Sequence, residues 1–278
     1  MTYLSSLPSG QKIRTRRCKS ALNRTGIPGG DFCLNPYLGC THGCLYCYAS
    51  FMLRYSGIAE PWGSFVEAKV NLPEVLIREA KRPGQVLLGT VCDPYQPAEE
   101  AFQLNRQALR ILGSAGYQVE VMTKSDLVLR DLDLLKRFPG FSVEMTITSL
   151  DEMVSALFEP GAPPPERRLK AVAELVQVGV ETTVFFGPVL PYFSDSFEQI
   201  SAMLLAISRT GCHRVLIDKL NYLKQKMARI VLKLNEGFKP AIAAFERALF
   251  EPATYTGELR ERAERALKMS GLEGRLIF

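Results

Sequence analysis

Three cysteines on one short loop offer the clearest chemistry in this sequence. Cys40, Cys44 and Cys47 have the spacing C-x3-C-x2-C, and Tyr48 follows the third cysteine directly. Three thiolates on one loop can hold three irons of a cubane cluster, whereas ferredoxin-type sites supply four cysteines. The fourth iron then has no protein ligand nearby and stays open to a small molecule. The spacing therefore predicts a [4Fe-4S] cluster used for chemistry at its open iron.

Zinc binding and disulfide bonds are the alternative uses of these thiols. A structural zinc site usually has four Cys or His ligands, often as two separated pairs. His42 could be a fourth ligand only if one tight loop supplied the whole site, and no second pair follows it. Seven cysteines, an odd number, and no visible signal peptide argue against disulfide bonds. The alternative function is a non-catalytic metal-binding module that uses the cysteine loop structurally.

Bulk composition restricts the class of protein. The chain has 278 residues, of which 47% are hydrophobic and 23% are charged, as expected for one large domain with or without an appendage. No apolar run is long enough to span a bilayer. Reduced thiols and an oxygen-sensitive cluster together predict that the protein is located in the cytoplasm.

The net charge of +5 permits an anionic partner such as nucleic acid but also suits an ordinary surface. Phosphate contacts would come naturally from the basic residues Arg14, Arg16, Arg17 and Lys19.

Strand and helix patterns alternate from residue 32 onward. The predicted strands cover residues 32–35, 86–91, 119–123, 143–148, 182–186 and 214–218. Helical spacing marks residues 73–81, 168–178 and 197–207, with Asp195 and Glu198 as a capping pair for the last of these. Such alternation predicts βαβ units and a parallel sheet, here a partial (β/α)6 barrel of the TIM type.

Three regions follow from this α/β pattern. Residues 1–31 are expected to be an irregular N-terminal lead-in, and residues 32–221 to form the partial barrel. Residues 222–278 are expected to be C-terminal helices, at 222–234, 240–250 and 259–269, that pack beside the barrel. Because active sites of parallel α/β barrels lie at the carboxyl ends of the strands, the polar residues that follow each strand are candidate site residues.

The sequence resembles the radical S-adenosylmethionine (SAM) enzymes, in the subgroup related to spore photoproduct lyase. The resemblance rests on Asn35-Pro36-Tyr37, on Cys44-Leu45-Tyr46-Cys47-Tyr48, and on the strand-end motifs at residues 89–97, 123–125, 159–163 and 188–191. It implies that SAM binds the open iron through its amino and carboxylate groups. One electron, from a partner such as flavodoxin or ferredoxin, then yields a 5′-deoxyadenosyl radical that abstracts hydrogen from an unidentified substrate.

Roles for the strand-end residues are implied by the same resemblance. Thr90 and Asp93 should lie near the SAM amino group. Lys124 should face the SAM carboxylate as a point charge. Thr146 and Ser149 are candidates for the ribose hydroxyls, although a strand-end hydroxyl often bonds only to nearby backbone.

One departure from the subgroup concerns the hydrogen donor. In spore photoproduct lyase a cysteine three residues before the second-strand aspartate donates hydrogen, and here that position is Thr90. Cys92 could replace it if the strand persists, since alternate residues face the same side. A buried structural thiol is the alternative, so DNA photoproduct repair is an alternative function. Tyr46 and Tyr48 could relay a radical, and Tyr48 should pack beside the cluster and the nucleoside. Shielding the cluster from water is the alternative role of both tyrosines.

Overall fold

Two β-sheets and a surrounding set of helices make up the described part of the chain. The computed structural model describes residues 3–6, 11–57 and 59–278. Its strands are β1 Tyr3–Ser6, β2 Lys12–Arg16, β3 Asn23–Arg24, β4 Phe32–Leu34, β5 Tyr37–Leu38, β6 Phe65–Lys69, β7 Gln85–Leu88, β8 Gln118–Thr123, β9 Phe141–Thr146, β10 Glu181–Val189, β11 Arg214–Lys219 and β12 Glu273–Leu276.

The helices lie mainly between these strands and after β11. They are α1 Leu53–Ser56, α2 Leu72–Glu79, α3 Ala98–Phe102, α4 Leu104–Ser114, α5 Leu132–Arg137, α6 Glu152–Phe158, α7 Pro165–Gln177, α8 Phe197–Arg209, α9 Met227–Leu234, α10 Ile242–Phe250 and α11 Pro252–Ser270. Among the described residues, none of the helices is both long enough and apolar enough to cross a membrane.

The larger sheet contains the six strands that the sequence predicts. Its order is β12-β11-β10-β9-β8-β7-β4-β3, and all neighbours are parallel except β3 and β4. Because β3 and β12 are its two edges, the sheet does not close, as expected for a partial barrel. The strand β12 extends the sheet beside β11. It was not expected, because the sequence pattern predicted only helices in residues 222–278.

The two faces of each barrel strand have different surroundings. On β8, Val119 and Val121 are fully buried against helices such as α4, whose Leu109 and Leu112 recur at helical spacing. The intervening Glu120 points to the other face, as alternation along a strand requires. The helices thus cover the outer face, and the strand ends carry the residues that follow each strand to one edge.

The N-terminal lead-in is more regular than the sequence indicates. A second sheet of order β1-β2-β6-β5 forms from it and from two strands that the sequence analysis missed. Residues 1, 2 and 7–10 of the lead-in lie outside the described residues. The strand β5 leads directly into the cysteine loop, so this small sheet fixes the point where the loop begins.

Three arginines of the lead-in, Arg14, Arg16 and Arg17, form ion pairs with nearby carboxylates. Arg16 forms an ion pair with Glu67 at 2.8 Å, and Arg14 pairs with Glu60. Arg17 lies 3.6 Å from Glu74. These three arginines therefore have acidic partners within the chain, although exposed ion pairs such as that of Arg17 are weak. Phosphate binding by this segment stays a prediction.

The start of α8 corrects a predicted helix cap by one residue. Ser196 and Gln199 form a reciprocal capping box there, in place of the expected pair Asp195 and Glu198. The carboxylate of Asp195 instead accepts the backbone N–H of Tyr192 at 3.0 Å and the hydroxyl of Tyr255 at 2.9 Å. It therefore ties α11 to the loop that precedes α8.

Candidate active site at the cysteine loop

The cysteine loop is held at its start by a buried glutamine. Gln96, from the segment after β7, accepts the backbone N–H of Thr41 at 3.0 Å and donates to the carbonyl of Gly39 at 3.2 Å. Its side chain is fully buried. Gln96 therefore clamps both sides of Cys40.

The other end of the loop packs against the segment after α6. The backbone N–H of Leu45 donates to the carbonyl of Phe158 at 2.8 Å, and that of Gly161 donates to the carbonyl of His42 at 3.0 Å. A Cβ atom at Gly161 would lie 2.1 Å from the carbonyl oxygen of Thr41. Only glycine fits at this approach of two backbones.

Chemically, the three thiols suit an iron–sulfur cluster. Cys40 and Cys44 are buried, and Cys47 is half-buried. The backbone N–H of Asp93 donates to the Sγ of Cys40 at 3.5 Å, and hydrogen bonds to sulfur are a usual feature of iron–sulfur sites. Burial raises the pKa of all three thiols, that of Cys44 to about 12. Each thiol would therefore release its proton on binding metal.

A single metal ion has no preformed site here. In the part of the chain that the structure describes, no group of three or more His, Cys, Asp and Glu side chains could hold one ion. Thiolates that bind separate irons of a cubane are farther apart than the ligands of one ion. The donor set, three thiols beside a backbone N–H, thus remains suited to a cluster.

Asp93 lies next to Cys40 and is saturated with hydrogen bonds. Its Oδ1 accepts the Thr123 hydroxyl at 2.7 Å and the Tyr95 N–H at 2.9 Å. Its Oδ2 accepts the Lys124 N–H at 2.7 Å and lies 3.3 Å from Nδ1 of His42. Burial alone would raise the pKa of Asp93, but His42 and these hydrogen bonds outweigh it and lower the pKa to about 2. The carboxylate therefore joins the cysteine loop to the end of β8.

Lys124 points toward the cysteine loop from the end of β8. Its Nζ lies 5.7 Å from the ring centroid of Tyr46. No carboxylate in the described residues lies within ion-pair distance of it. Burial opposes its charge, but the electrostatic influence of Cys44 and Glu159 outweighs burial and raises the pKa of Lys124. It is a cation beside the thiols with no bonded counter-ion.

Tyr46 is anchored by a buried ion pair that the sequence analysis did not single out. Its hydroxyl donates to Glu159, and Glu159 lies 2.5 Å from Arg168. Neither side chain of this pair is exposed. Arg168 also donates to the carbonyls of Pro163 at 2.7 Å and Thr146 at 3.2 Å. Burial would raise the pKa of Glu159, but Arg168 holds it below its ordinary value, so the pair is ionised.

Tyr48 and Thr90 meet at the mouth of the barrel. The Tyr48 hydroxyl donates to the backbone carbonyl of Thr90, and the Tyr48 side chain is 46% exposed. The Thr90 hydroxyl accepts Nδ2 of Asn35 at 3.0 Å. Thr90 therefore lies beside the cysteine loop, and its hydroxyl already has a partner; its role toward the SAM amino group stays a prediction.

Cys92 does not follow the strand geometry that would make it a substitute for Thr90. The strand β7 ends at Leu88, and Gly89 has a φ of 102°, so alternation does not continue to residue 92. The thiol lies 3.7 Å from Oδ1 of Asn35 and packs in the apolar cluster of Ile13, Tyr37, Val66 and their neighbours. Burial raises its pKa to about 12. The geometry favours the structural role of this thiol.

Hydroxyl groups cluster at the end of β9. Ser149 accepts the Asp151 N–H at 3.1 Å and so caps the following turn. Thr146 is buried at the last position of the strand. Thr148 is also buried, and its Oγ1 has no hydrogen-bond partner in the described structure. The unpaired hydroxyl of Thr148 is a candidate that the sequence analysis passed over in favour of its neighbours.

Two cations reach the cysteine loop from the C-terminal region, and the sequence analysis missed both. Arg229 of α9 donates through Nη2 to the carbonyl of Cys47 at 3.4 Å. Lys226, at the N-cap of α9, is 5% exposed. Burial lowers its pKa to about 8, partly offset by Cys47. No sequence signal places residue 229 beside residue 47, since 182 positions separate them.

Comparisons with known proteins identify the family of this chain. A family model described as the radical SAM superfamily matches residues 34–204. An uncharacterized protein of Methanocaldococcus jannaschii is 36% identical over 179 residues, which cover 64% of this chain and 68% of the relative. An uncharacterized protein of Mycobacterium tuberculosis is 30% identical over 265 residues, which cover 88% of this chain and 77% of the relative.

Among solved structures, the fold is similar to that of spore photoproduct lyase. One mutant of that enzyme, solved with bound AdoMet and a dinucleoside spore photoproduct, superposes with a TM-score of 0.71. The match covers 96% of this chain and 82% of that one at 15% sequence identity. At this identity the similarity concerns the fold.

Proposed function

The chain belongs to the radical SAM superfamily, and we propose that it cleaves SAM reductively at a [4Fe-4S] cluster held by Cys40, Cys44 and Cys47. When bound, the cluster and SAM supply an electron and a 5′-deoxyadenosyl radical that abstracts a hydrogen atom from a substrate. The observation that carries the proposal is the meeting of three thiols with Asp93 and Lys124 at one edge of the sheet. A non-catalytic metal loop would have no need of these strand-end groups.

Lys124 is the proposed partner of the SAM carboxylate. It is a cation near the loop, and no carboxylate of the described residues pairs with it. Asp93 is proposed to position this lysine, because its oxygens already accept from Tyr95, Thr123, Lys124 and His42. A carboxylate offers about four lone-pair sites, so little capacity is left for the SAM ammonium group.

The ribose of SAM is proposed to bind at the end of β9. Thr148 has the buried hydroxyl without a partner, so a ligand hydroxyl would satisfy it. Thr146 lies two residues earlier, at the end of β9, whereas Ser149 is engaged by Asp151. Tyr48, half-exposed beside Thr90, is proposed to cover the cluster and nucleoside from solvent.

We propose a substrate other than a DNA photoproduct. The donor position of spore photoproduct lyase holds Thr90, and the nearest thiol, Cys92, is buried and bonded to Asn35. The hydrogen bond from Tyr46 to Glu159 gives that tyrosine a structural role. Tyr48 is the more exposed of the two tyrosines. A small cytoplasmic electron carrier such as flavodoxin or ferredoxin is the proposed reductant.

Reductive cleavage of SAM tests the proposal. Anaerobically reconstituted protein, incubated with dithionite and SAM, should form 5′-deoxyadenosine and methionine, measured by liquid chromatography. Replacing Cys40, Cys44 or Cys47 with Ala should abolish the products, while Cys212→Ala, a buried cysteine remote from the loop, should retain them. Formation of 5′-deoxyadenosine at the wild-type rate by a loop variant would contradict the proposal.

A further inference from the structure

Two cations at the start of α9 stand beside the candidate site without acidic partners. Lys226 is 5% exposed, and among the described residues its Nζ donates to the backbone carbonyl of Asn221 alone, at 3.1 Å. The Nε of Arg229 is buried and has no hydrogen-bond partner in the described structure. No carboxylate of the described residues lies within ion-pair distance of either side chain. Lys226 is buried and Arg229 is half-buried. Because buried cations in folded proteins are normally paired, an anionic ligand would be stabilised beside these two side chains.

The helix itself adds to the positive field at this point. Lys226 occupies the N-cap and Arg229 follows three residues later, so both lie on one face of α9. The helix has eight residues, no side-chain cap and no acidic residue in its first turn. Free N–H groups and the helix dipole at such an N-terminus favour negative charge.

Exposed aromatic side chains lie near these cations. Tyr222 is 65% exposed, and Nζ of Lys226 lies 5.3 Å from its ring centroid. Tyr48 and Phe51, both exposed, stack at 6.4 Å on the other side of the mouth. Exposed aromatic side chains beside cations suit a ligand with a planar ring and a negative group.

An unpaired acceptor completes the set. One carboxylate oxygen of Asp218, at the end of β11, is buried without a hydrogen-bond partner in the described residues. Its other oxygen accepts Nδ2 of Asn221 at 3.0 Å, and Asn221 in turn accepts from Lys226. A ligand here would therefore meet cations and one carboxylate acceptor for a hydroxyl or amine.

We propose that Lys226 and Arg229 bind an oxyanion of the substrate, a phosphate or carboxylate attached to a planar ring system. The inference rests on the proposed function, because the oxyanion belongs to the molecule from which hydrogen is abstracted. Arg229 contacts the carbonyl of Cys47, so the bound group would lie beside the cysteine loop. The charged group would hold the rest of the substrate at the mouth of the barrel.

Binding of small anionic probes tests the proposal without any turnover. Uridine 5′-monophosphate, orotate and uridine are titrated into oxidised, cluster-containing protein with SAM present, and affinity is measured by calorimetry. We expect the monophosphate or orotate to bind at least tenfold more tightly than uridine, with the better of the two identifying the anion as phosphate or carboxylate. Lys226→Met and Arg229→Met should each weaken that binding about tenfold or more. The matched variant Lys224→Met, an exposed lysine of the same segment, should not change it.

Three results would overturn the proposal. One is equal affinity for uridine and both anions; another is unchanged anion affinity in both variants. The third is a shifted midpoint potential of the cluster in Lys226→Met and Arg229→Met with anion affinity intact, which would make the cations counter-charges of the cluster. Failure of the wild type to cleave SAM would overturn the proposed function instead, and it would leave this binding result measurable.

Discussion

Charged groups around the cysteine loop form two sets that differ in their partners. The anchoring network, in which every group has a partner within the chain, consists of Tyr46, Asp93, Glu159 and Arg168. The unpaired cations, which have no carboxylate partner among the described residues, are Lys124, Lys226 and Arg229. Both sets lie close enough to the thiols to influence them electrostatically.

The difference separates residues that hold the site in place from residues that are available to bind a ligand. A buried charge whose partner is in the chain fixes geometry before any ligand arrives. Of the unpaired cations, Lys226 is buried, and Lys124 and Arg229 are half-buried. Removing a charge from water without a partner is unfavourable, and binding of an anionic ligand would offset that cost. The anchoring network therefore sets the position of the loop, and we propose that the unpaired cations mark the surfaces to which SAM and substrate would bind.

The largest expected effect is loss of the buried ion pair. Arg168→Met leaves the carboxylate of Glu159 buried without its partner, so we expect a loss of about 3–5 kcal/mol in the free energy of unfolding. Arg167→Met, at an adjacent arginine whose side chain is 60% exposed, should change it by no more than about 0.5 kcal/mol. Anaerobic urea unfolding measures both. Equal stability of the two variants would remove Glu159 and Arg168 from the anchoring network.

A smaller effect is expected where the loop meets the segment after α6. Gly161→Ala would place a Cβ 2.1 Å from the carbonyl of Thr41, so the backbones must separate at a cost of about 1–3 kcal/mol. Iron retention should fall with it. At Gly257, on an exposed part of α11 with nothing within 4 Å, alanine should stabilise by about 0.5–1 kcal/mol. If Gly161→Ala kept both wild-type stability and iron content, the contact would not position the loop.

The contribution of Asp93 to the stability of the protein should depend on pH. Its pKa of about 2 lies below the ordinary 3.8, so its contribution to stability is present above about pH 4 and is lost as pH falls toward 2. The shift corresponds to about 2 kcal/mol. Asp93→Asn should therefore be less stable than the wild type near pH 7, and the gap should close between pH 4 and 2. Denaturant unfolding followed by circular dichroism would detect this; a gap independent of pH would mean that Asp93 is not held ionised.

The smallest expected effect concerns an unpaired cation and leaves the fold intact. Lys124→Met should weaken SAM binding about tenfold, equivalent to about 1.4 kcal/mol, because one point charge facing a carboxylate is lost. Its iron content should stay at the wild-type level. Lys136→Met, at an exposed lysine of α5, is the matched control. Unchanged affinity in calorimetric titration with SAM would exclude Lys124 from the cofactor site.

Local patterns in the sequence were enough to predict the barrel strands and the cysteine loop. Alternating burial on a strand such as β8 and helical spacing on α7 depend on near neighbours, so both can be read from the residues themselves. The resemblance also singled out Thr90, Asp93 and Lys124 for contacts with SAM, and the structure brings all three beside the cysteine loop. What it could not indicate was that Asp93 would already be saturated with hydrogen bonds.

Long-range pairings were beyond the reach of the sequence. Tyr46 and Glu159 are 113 positions apart, and Cys47 and Arg229 are 182 apart, so their contacts depend on the fold of the whole chain. The strand β12 was missed because Glu273–Leu276 is short and follows a long helix. The sequence left both roles of Cys92 open, because it did not show that β7 ends at Leu88, just before Gly89 with its positive φ.

Metal and sulfide content measures the central claim most directly. Protein purified and reconstituted without oxygen should contain about four irons and four sulfides per chain, as a cubane on cysteine thiolates requires. Single replacement of Cys40, Cys44 or Cys47 with Ala should remove them, and Cys212→Ala should keep them. One zinc per chain with no sulfide, in protein handled without oxygen, would contradict the account.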